Sequence, residues 1–355
     1  MFLLKINAII MLGDFMVGRM LFVGLSTNDK TVIERLIVKC HVGGIILYSK
    51  NYHNYQEMLE LIRYIYDLAK KEGYPILVGI DQEGYRVNRL PKDFQNLRSP
   101  YSFHQNLEDI KKHGEVIATI LAASNIRVNF APVLDIKRFS DHHPIGDRCF
   151  GSDVKTVIQN TIPYIEEFEK RGVIPVVKHF PGHGATTINS HYFIPIIFNS
   201  KRLLQEDILP FKSAIEHGVG VVMVGHFIVP KLSGWIPTSF SSKTVHYLRN
   251  QLNFQKVIMT DDLMMGPLRI FSKVKLMKRA INAGINMIMI KYYDQFFDDF
   301  NRLEKSKLNQ NYINYSVQLI YELICKYQIT NQFILHSLDI SKINQEIIEL
   351  NQHAK

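Results

Sequence analysis

Residues 178–191 read KHFPGHGATTINSH: one lysine and three histidines surround a proline-glycine turn, with no carboxylate among them. Imidazoles beside such a loop suit two kinds of chemistry, binding a metal ion or moving a proton near neutral pH. The metal reading requires His179, His183 and His191 to converge on one ion. His179 and His183 have the spacing of helical metal ligands, but Pro181-Gly182 lies between them and disfavours a helix there. Cys40, Cys149 and Cys325 form no CxxC pair, so a thiolate zinc site has no support either. No metal and no cofactor are expected, and acid/base chemistry is the reading carried forward.

Other candidates stand at the ends of short apolar runs. Eight such β-branched runs recur: 20–25, 44–47, 76–80, 128–134, 173–179, 219–226, 256–262 and 285–290. Amphipathic segments such as 55–73 and 154–172 lie between them, and the second closes on Lys-Arg-Gly, a helix stop. Strands alternating with helices predict an α/β fold, a single (β/α)₈ TIM-type barrel with a short C-terminal helical extension. The alternative, a doubly wound sheet, lacks the phosphate-binding glycine fingerprint it usually carries. In a barrel the carboxyl ends of the strands share one rim. Asp81, Asp135, Lys178 with His179, His226, Asp261 with Asp262, and Lys291 therefore converge from distant parts of the chain. The expected organisation is a barrel domain over 1–330 and a C-terminal helix and tail over 331–355.

Composition narrows the class further. The chain has 355 residues, a formal net charge of +9 and 46% apolar residues, and no apolar run of membrane-spanning length. Its positive residues do not cluster with interleaved aromatics, so neither nucleic acid nor membrane is an expected partner. The densest group, KVKLMKR at 273–279, reads as a solvated helix face. The general bias to Lys, Asn, Ile and Tyr accounts for the basicity. Three scattered cysteines fit a reducing cytoplasm. The start MFLLKINAIIML is interrupted by Lys5 and lacks a small-residue cleavage site, so a signal peptide is not expected. Met11 or Met16 would serve as well as a translation start.

GGIILYSKN (43–51), IDQEGYRVNRL (80–90), NFAPVLDI (129–136), GDRCFGSD (146–153), KHFPGHG (178–184) and VIMTDDLMM (257–265) occur in this order. Together they resemble glycoside hydrolase family 3, and in particular its single-domain, NagZ-like β-N-acetylglucosaminidases of cell-wall recycling. The resemblance spans about residues 16–330. It implies a retaining exo-β-N-acetylglucosaminidase that releases terminal GlcNAc from peptidoglycan-derived muropeptides, works as a monomer and needs no cofactor. Retention requires a nucleophile and a proton donor on opposite sides of the bond. By resemblance Asp261 of Thr260-Asp261 is the nucleophile. Asp262 competes for that role, or stabilises the start of the following helix. The resemblance assigns Asp81, Arg89, Arg148, Lys178 and His179 to the sugar, with a salt bridge inside its own loop as the plain alternative for Arg148. It assigns His191 to proton transfer.

The family pattern before that histidine is Asp-Ser-His, and this chain has Asn189-Ser190-His191. An Asn oxygen can orient the ring but cannot offset the charge of an imidazolium. In a serine protease, our comparison case, the same exchange beside a catalytic histidine costs roughly 10⁴ in rate. Slow hydrolysis is therefore expected, with a GlcNAc-binding pseudoenzyme, a phosphorylase or a glycosidase of other specificity as alternatives. Three further departures are Tyr85 for a turn glycine, His143 for Asn before Pro144, and Asn286 for an Asp after Ala283-Gly284-Ile285. A tyrosine is strained at position 85 if the turn requires positive φ.

Overall fold

A strand forms on each apolar run, β5 and β8 ending one residue beyond theirs: β1 (Leu21–Gly24), β2 (Gly44–Leu47), β3 (Leu77–Ile80), β4 (Val128–Asn129), β5 (Ile174–Phe180), β6 (Val221–Val224), β7 (Val257–Thr260) and β8 (Ile288–Lys291). The computed structural model describes residues 16–139, 145–186 and 193–355. All neighbouring strands run parallel, in the order β7-β6-β5-β4-β3-β2-β1-β8. The two ends of that order meet through a parallel bridge between Met259 and Met287, where Thr260 N–H donates to Met287 O at 3.0 Å. The sheet is thus a (β/α)₈ barrel.

Helices separate the strands, and two of them fall on the amphipathic segments 55–73 and 154–172. Among them are α1 (Tyr55–Lys71), α2 (Leu107–Ala123), α3 (Val154–Lys170), α4 (Lys273–Ala283) and α5 (Gln310–Lys326), followed by α6 (Ile340–Gln352) near the C-terminus. Side chains of Asn54, Asn106, Asp153, Asn309 and Asp339 accept backbone N–H groups at the starts of α1, α2, α3, α5 and α6. Among the described residues no helix is long and apolar enough to cross a membrane.

Strand parity positions the site. Phe22, Ile46, Leu77, Ile174, Val176, Val221, Met223, Val257, Met259, Met287 and Met289 fill the barrel interior, and their strand neighbours pack outward against the helices. Leu319, Ile320, Leu323 and Ile324 of α5 join the interior cluster. Phe22 leaves no room beside it: a Cβ on Gly44 would lie 2.7 Å from its ring. Extending this inward parity toward the carboxyl ends, through Gly79 in β3, reaches Asp81, Lys178, Asp261 and Lys291, so their side chains are delivered above the apolar interior at one end of the barrel.

Two expectations are corrected. The predicted strand 128–134 stops after Asn129. Pro132 has no N–H to give to a ladder, and pairing resumes only as an isolated bridge from Val133 to Lys178. The 273–279 group is not one solvated face. Lys273 is buried and its ammonium donates to the carbonyls of Leu268, Arg269 and Phe271, while Leu276 and Met277 enter the core.

Candidate active site

A cavity of about 1080 Å³ opens at the carboxyl end of the barrel. It is lined by Asp81, Arg89, Arg148, Lys178, His179 and Asp261, which are six of the eight residues given a role from the family resemblance, together with Glu83, Asp262 and Lys291. The other two, Asn189 and His191, lie outside the described residues, as does His143.

At the base of the cavity Lys178 is buried and donates to Asp81 Oδ1 at 2.8 Å and to Glu83 Oε1 at 2.6 Å. Arg148 grips the same glutamate with both edges, Nε to Oε2 and Nη2 to Oε1, each at 2.8 Å. Burial alone would raise the Glu83 carboxyl, but the Arg148 and Lys178 charges outweigh it and hold the group well below its ordinary range. Burial likewise opposes the charge on Lys178, and Asp81 with Glu83 more than restores it. Arg148 therefore ties its own loop to the one following β3. Arg89 reaches the cavity from the same β3 loop, whose backbone is fixed there. Gln82 Oε1 accepts from Arg89 N–H at 2.7 Å, and Tyr52 hydroxyl donates to Arg89 O at 2.7 Å.

His179 is set by a carboxylate behind it. Its Nδ1–H donates to Asp135 Oδ2 at 2.7 Å, and Asp135 Oδ1 accepts His183 N–H at 2.6 Å. Asp135 is buried and held low, because His179 and His183 outweigh the effect of burial. His179 ends up in β5 and His183 in the short turn His183–Ala185, so no helix carries the pair. Among the described residues, no group of three His, Cys, Asp or Glu is arranged to hold a metal ion.

Asp261 follows β7 and keeps its negative charge. Burial would raise it, but His179, His226, the Asp262 N–H and Lys178 together lower it. The Asp262 N–H donates to Asp261 Oδ1 at 2.7 Å. Asp262 is itself held in place: its Oδ1 accepts N–H from Met264 at 2.9 Å and from Lys291 at 3.1 Å. The next helical turn, Gly266–Leu268, begins after these bonds. Asp262 therefore fastens the β7 loop to the end of β8 rather than stabilising a helix start. Burial pushes its carboxyl up to about 6, so it is a weaker anion than its neighbour.

Behind this pair, His226 Nε2–H donates to Asp262 O at 3.2 Å. Burial lowers His226, and its Nδ1 shares a hydrogen bond with the Ser239 hydroxyl at 2.6 Å. Of the residues at strand ends, Asp135 and His226 thus support the site from behind the lining. Glu83 was missed: it stands three residues past β3, inside IDQEGYRVNRL, and no role was read for it there. Tyr85 does adopt the left-handed conformation that a turn glycine would allow, at φ 54°. Asn286 is remote from the cavity. It is buried near the opposite end of β8, where its carbonyl oxygen accepts from Arg249 at 2.7 Å and Ile258 N–H at 2.9 Å, and it belongs to the packing.

An ionised aspartate beside charged hydrogen-bonding groups, at the carboxyl end of a parallel barrel, suits the hydrolysis of a glycosidic bond. The comparisons with known proteins agree. The glycosyl hydrolase family 3 N-terminal domain matches residues 10–323. The chain belongs to this family. It is 32% identical over 272 residues to a protein named Beta-hexosaminidase from Vibrio cholerae serotype O1, covering 75% of this chain and 79% of that protein. Beta-hexosaminidase of Haemophilus influenzae is 33% identical over 258 residues, covering 70% and 72%. Among solved structures, a glycoside hydrolase family 3 β-N-acetylglucosaminidase from Paenibacillus sp. str. FPU-7 superposes with a TM-score of 0.88 at 26% identity, covering 96% of this chain and 68% of that one.

Proposed function

We propose that the chain is a retaining exo-β-N-acetylglucosaminidase of the cytoplasm that removes terminal β-linked GlcNAc from peptidoglycan-derived muropeptides. The observation that carries this reading is the Asp261 carboxylate. It faces the cavity and stays ionised among His179, His226 and Lys178, as a nucleophile for an anomeric carbon must. Asp261 attacks C1 and forms a glycosyl-enzyme. His191 gives its proton to the departing oxygen, then takes one from the water that hydrolyses the intermediate. Asp81, Arg89, Arg148, Lys178 and His179 hold the sugar, the carboxylate accepting from hydroxyls and the cations donating. Asn189 carries no charge to offset that of a protonated His191, which slows proton delivery to a poor leaving group.

Release of nitrophenol from 4-nitrophenyl β-GlcNAc, with β-configured GlcNAc as the first product seen by NMR, tests the reading. Inversion of configuration refutes it. The cations Arg89, Arg269 and Lys291 on the cavity wall favour a second reading, phosphorolysis. Release that depends on inorganic phosphate would establish that alternative. Binding of GlcNAc without release would leave a sugar-binding pseudoenzyme.

A further inference from the structure

The loop that follows β3 carries Asp81, Glu83 and Arg89, and over residues 81–98 it forms no helix or strand beyond one bridge between Gly84 and Val87. A stretch of this length needs an external hold to keep one conformation. Helix α6, which lies C-terminal to the family-matched segment, supplies one. Its Ile343, Ile347 and Leu350 are buried in the main core, and Asn344 and Asn351, two helical turns apart, share one flank.

Each asparagine closes a pair of bonds on the loop backbone. Asn344 donates to Asp93 O at 2.7 Å and accepts Gln95 N–H at 2.7 Å. Asn351 donates to Asn96 O at 3.0 Å and accepts Arg98 N–H at 2.8 Å. Satisfying the carbonyl of one residue and the N–H two residues on is what a neighbouring parallel strand does. The side chains of α6 thus stand in for a strand along 93–98.

The held segment in turn grips the loop's strained point. Tyr85 N–H donates to Leu97 O at 2.7 Å, and Asn96 Nδ2 donates to Tyr85 O at 2.7 Å. Tyr85 at φ 54° follows Gly84 at φ 90°, and a left-handed non-glycine residue costs roughly 1 kcal/mol. On one side of this turn stands Glu83, bonded to Lys178 and Arg148. On the other, Arg86 donates to Ile145 O at 2.8 Å and pairs with Asp147 at 3.2 Å on the loop of Arg148. The bonds therefore run without a break from α6 through 96–98 and the Tyr85 turn to the polar floor of the cavity.

We infer that α6 is a brace for substrate binding, with Asn344 and Asn351 acting as positioning residues that hold the β3 loop against the strain of Tyr85 and so place Glu83 and Arg89. The readout in KM rests on the β-GlcNAc reading, and the experiment separates the two. In the full-length double variant Asn344→Ala/Asn351→Ala, KM for 4-nitrophenyl β-GlcNAc rises about fivefold while kcat stays within about twofold. Adding Tyr85→Gly, which removes the strain the brace opposes, returns KM to within about twofold of wild type. A purely structural role lowers the melting temperature and the active fraction but leaves KM unchanged, and that result overturns the inference. So does a raised KM that Tyr85→Gly fails to restore. Asn351→Asp, which keeps the acceptor for Arg98 and loses the donor to Asn96, is the milder companion. Amide hydrogen exchange at residues 83–87 quickens in it, and unchanged exchange there refutes the brace. If the wild type shows no turnover the functional reading fails, and the exchange measurement still decides the brace.

Discussion

Replacing Glu83 by glutamine removes one charge and little volume from the floor of the cavity. Three charge-assisted bonds converge on this buried carboxylate, one from Lys178 and two from Arg148. The amide keeps one acceptor oxygen but turns its NH₂ toward a donor. Lys178 retains Asp81 at 2.8 Å as a partner, and Arg148 loses the carboxylate it holds with both edges. Bonds to charged groups contribute about 1.5–3 kcal/mol each, and breaking a buried pair by removing one partner costs about 3–5 kcal/mol. Relief of the glutamate's own desolvation offsets part of the larger sum, so a loss of about 3–5 kcal/mol is expected. In a chain of this size that lowers Tm by roughly 4–7 °C.

The pH dependence has a definite sign. The folded pKa of Glu83 lies below its ordinary 4.5, so its stabilisation is complete above about pH 5 and fades as pH falls through the folded value. The Tm gap between wild type and Glu83→Gln must be flat from about pH 6 to 8 and narrow below about pH 4.5. Thermal melts across that range are the assay, with kcat/KM falling at least about tenfold in parallel as Arg148 and Lys178 lose their common anchor. A Glu83→Gln protein that melts within about 2 °C of wild type at pH 7 refutes the network's role.

Tyr85→Gly alone raises stability by about 0.5–1 kcal/mol, because its exposed ring has little packing to lose and its backbone is left-handed; denaturant melts with an unchanged or lower midpoint contradict this. Asp207 is buried against Arg138, and burial outweighs that attraction and pushes its carboxyl up to about 6 from 3.8. The folded state therefore favours the protonated form, and the wild type loses stability relative to Asp207→Asn as pH rises from about 4 to 6; parallel stability curves over that interval exclude it. Asn189→Asp speeds hydrolysis of a β-GlcNAc disaccharide by about tenfold or more and of the nitrophenyl glycoside much less, since only the poor leaving group needs the full proton transfer; equal rates for the two proteins on the disaccharide remove Asn189 from the mechanism.

Strands were legible because a barrel strand is buried on both faces and so reads as an unbroken apolar run. Parity then brought Asp81, Lys178, Asp261 and Lys291 to one end without reference to any relative. What escaped notice depends on contacts between loops. Glu83 acquires its importance from Lys178 and Arg148, which arrive from β5 and from the loop after β4. Asp135 and His226 were visible as residues at strand ends, but only packing shows that they hold other groups rather than line the cavity. Lys273 looked solvated because helical periodicity says nothing of the three carbonyls that wait at the helix start. The Asn344 and Asn351 pairs are invisible for the same reason, since an exposed-looking asparagine on an amphipathic helix has no partner until the helix docks. Roles for Asn189 and His191 come from motif resemblance, and these two residues lie outside the described ones.

Covalent trapping puts the role of Asp261 to direct trial. The protein is incubated with an activated, ring-fluorinated β-GlcNAc derivative whose glycosyl-enzyme hydrolyses slowly, then digested and mapped by mass spectrometry. A single sugar adduct on the peptide carrying Asp261, absent from Asp261→Asn, is the expected result. An adduct on Asp262 instead, or leaving-group release by the Asp261→Asn protein at the wild-type rate, would contradict the assignment.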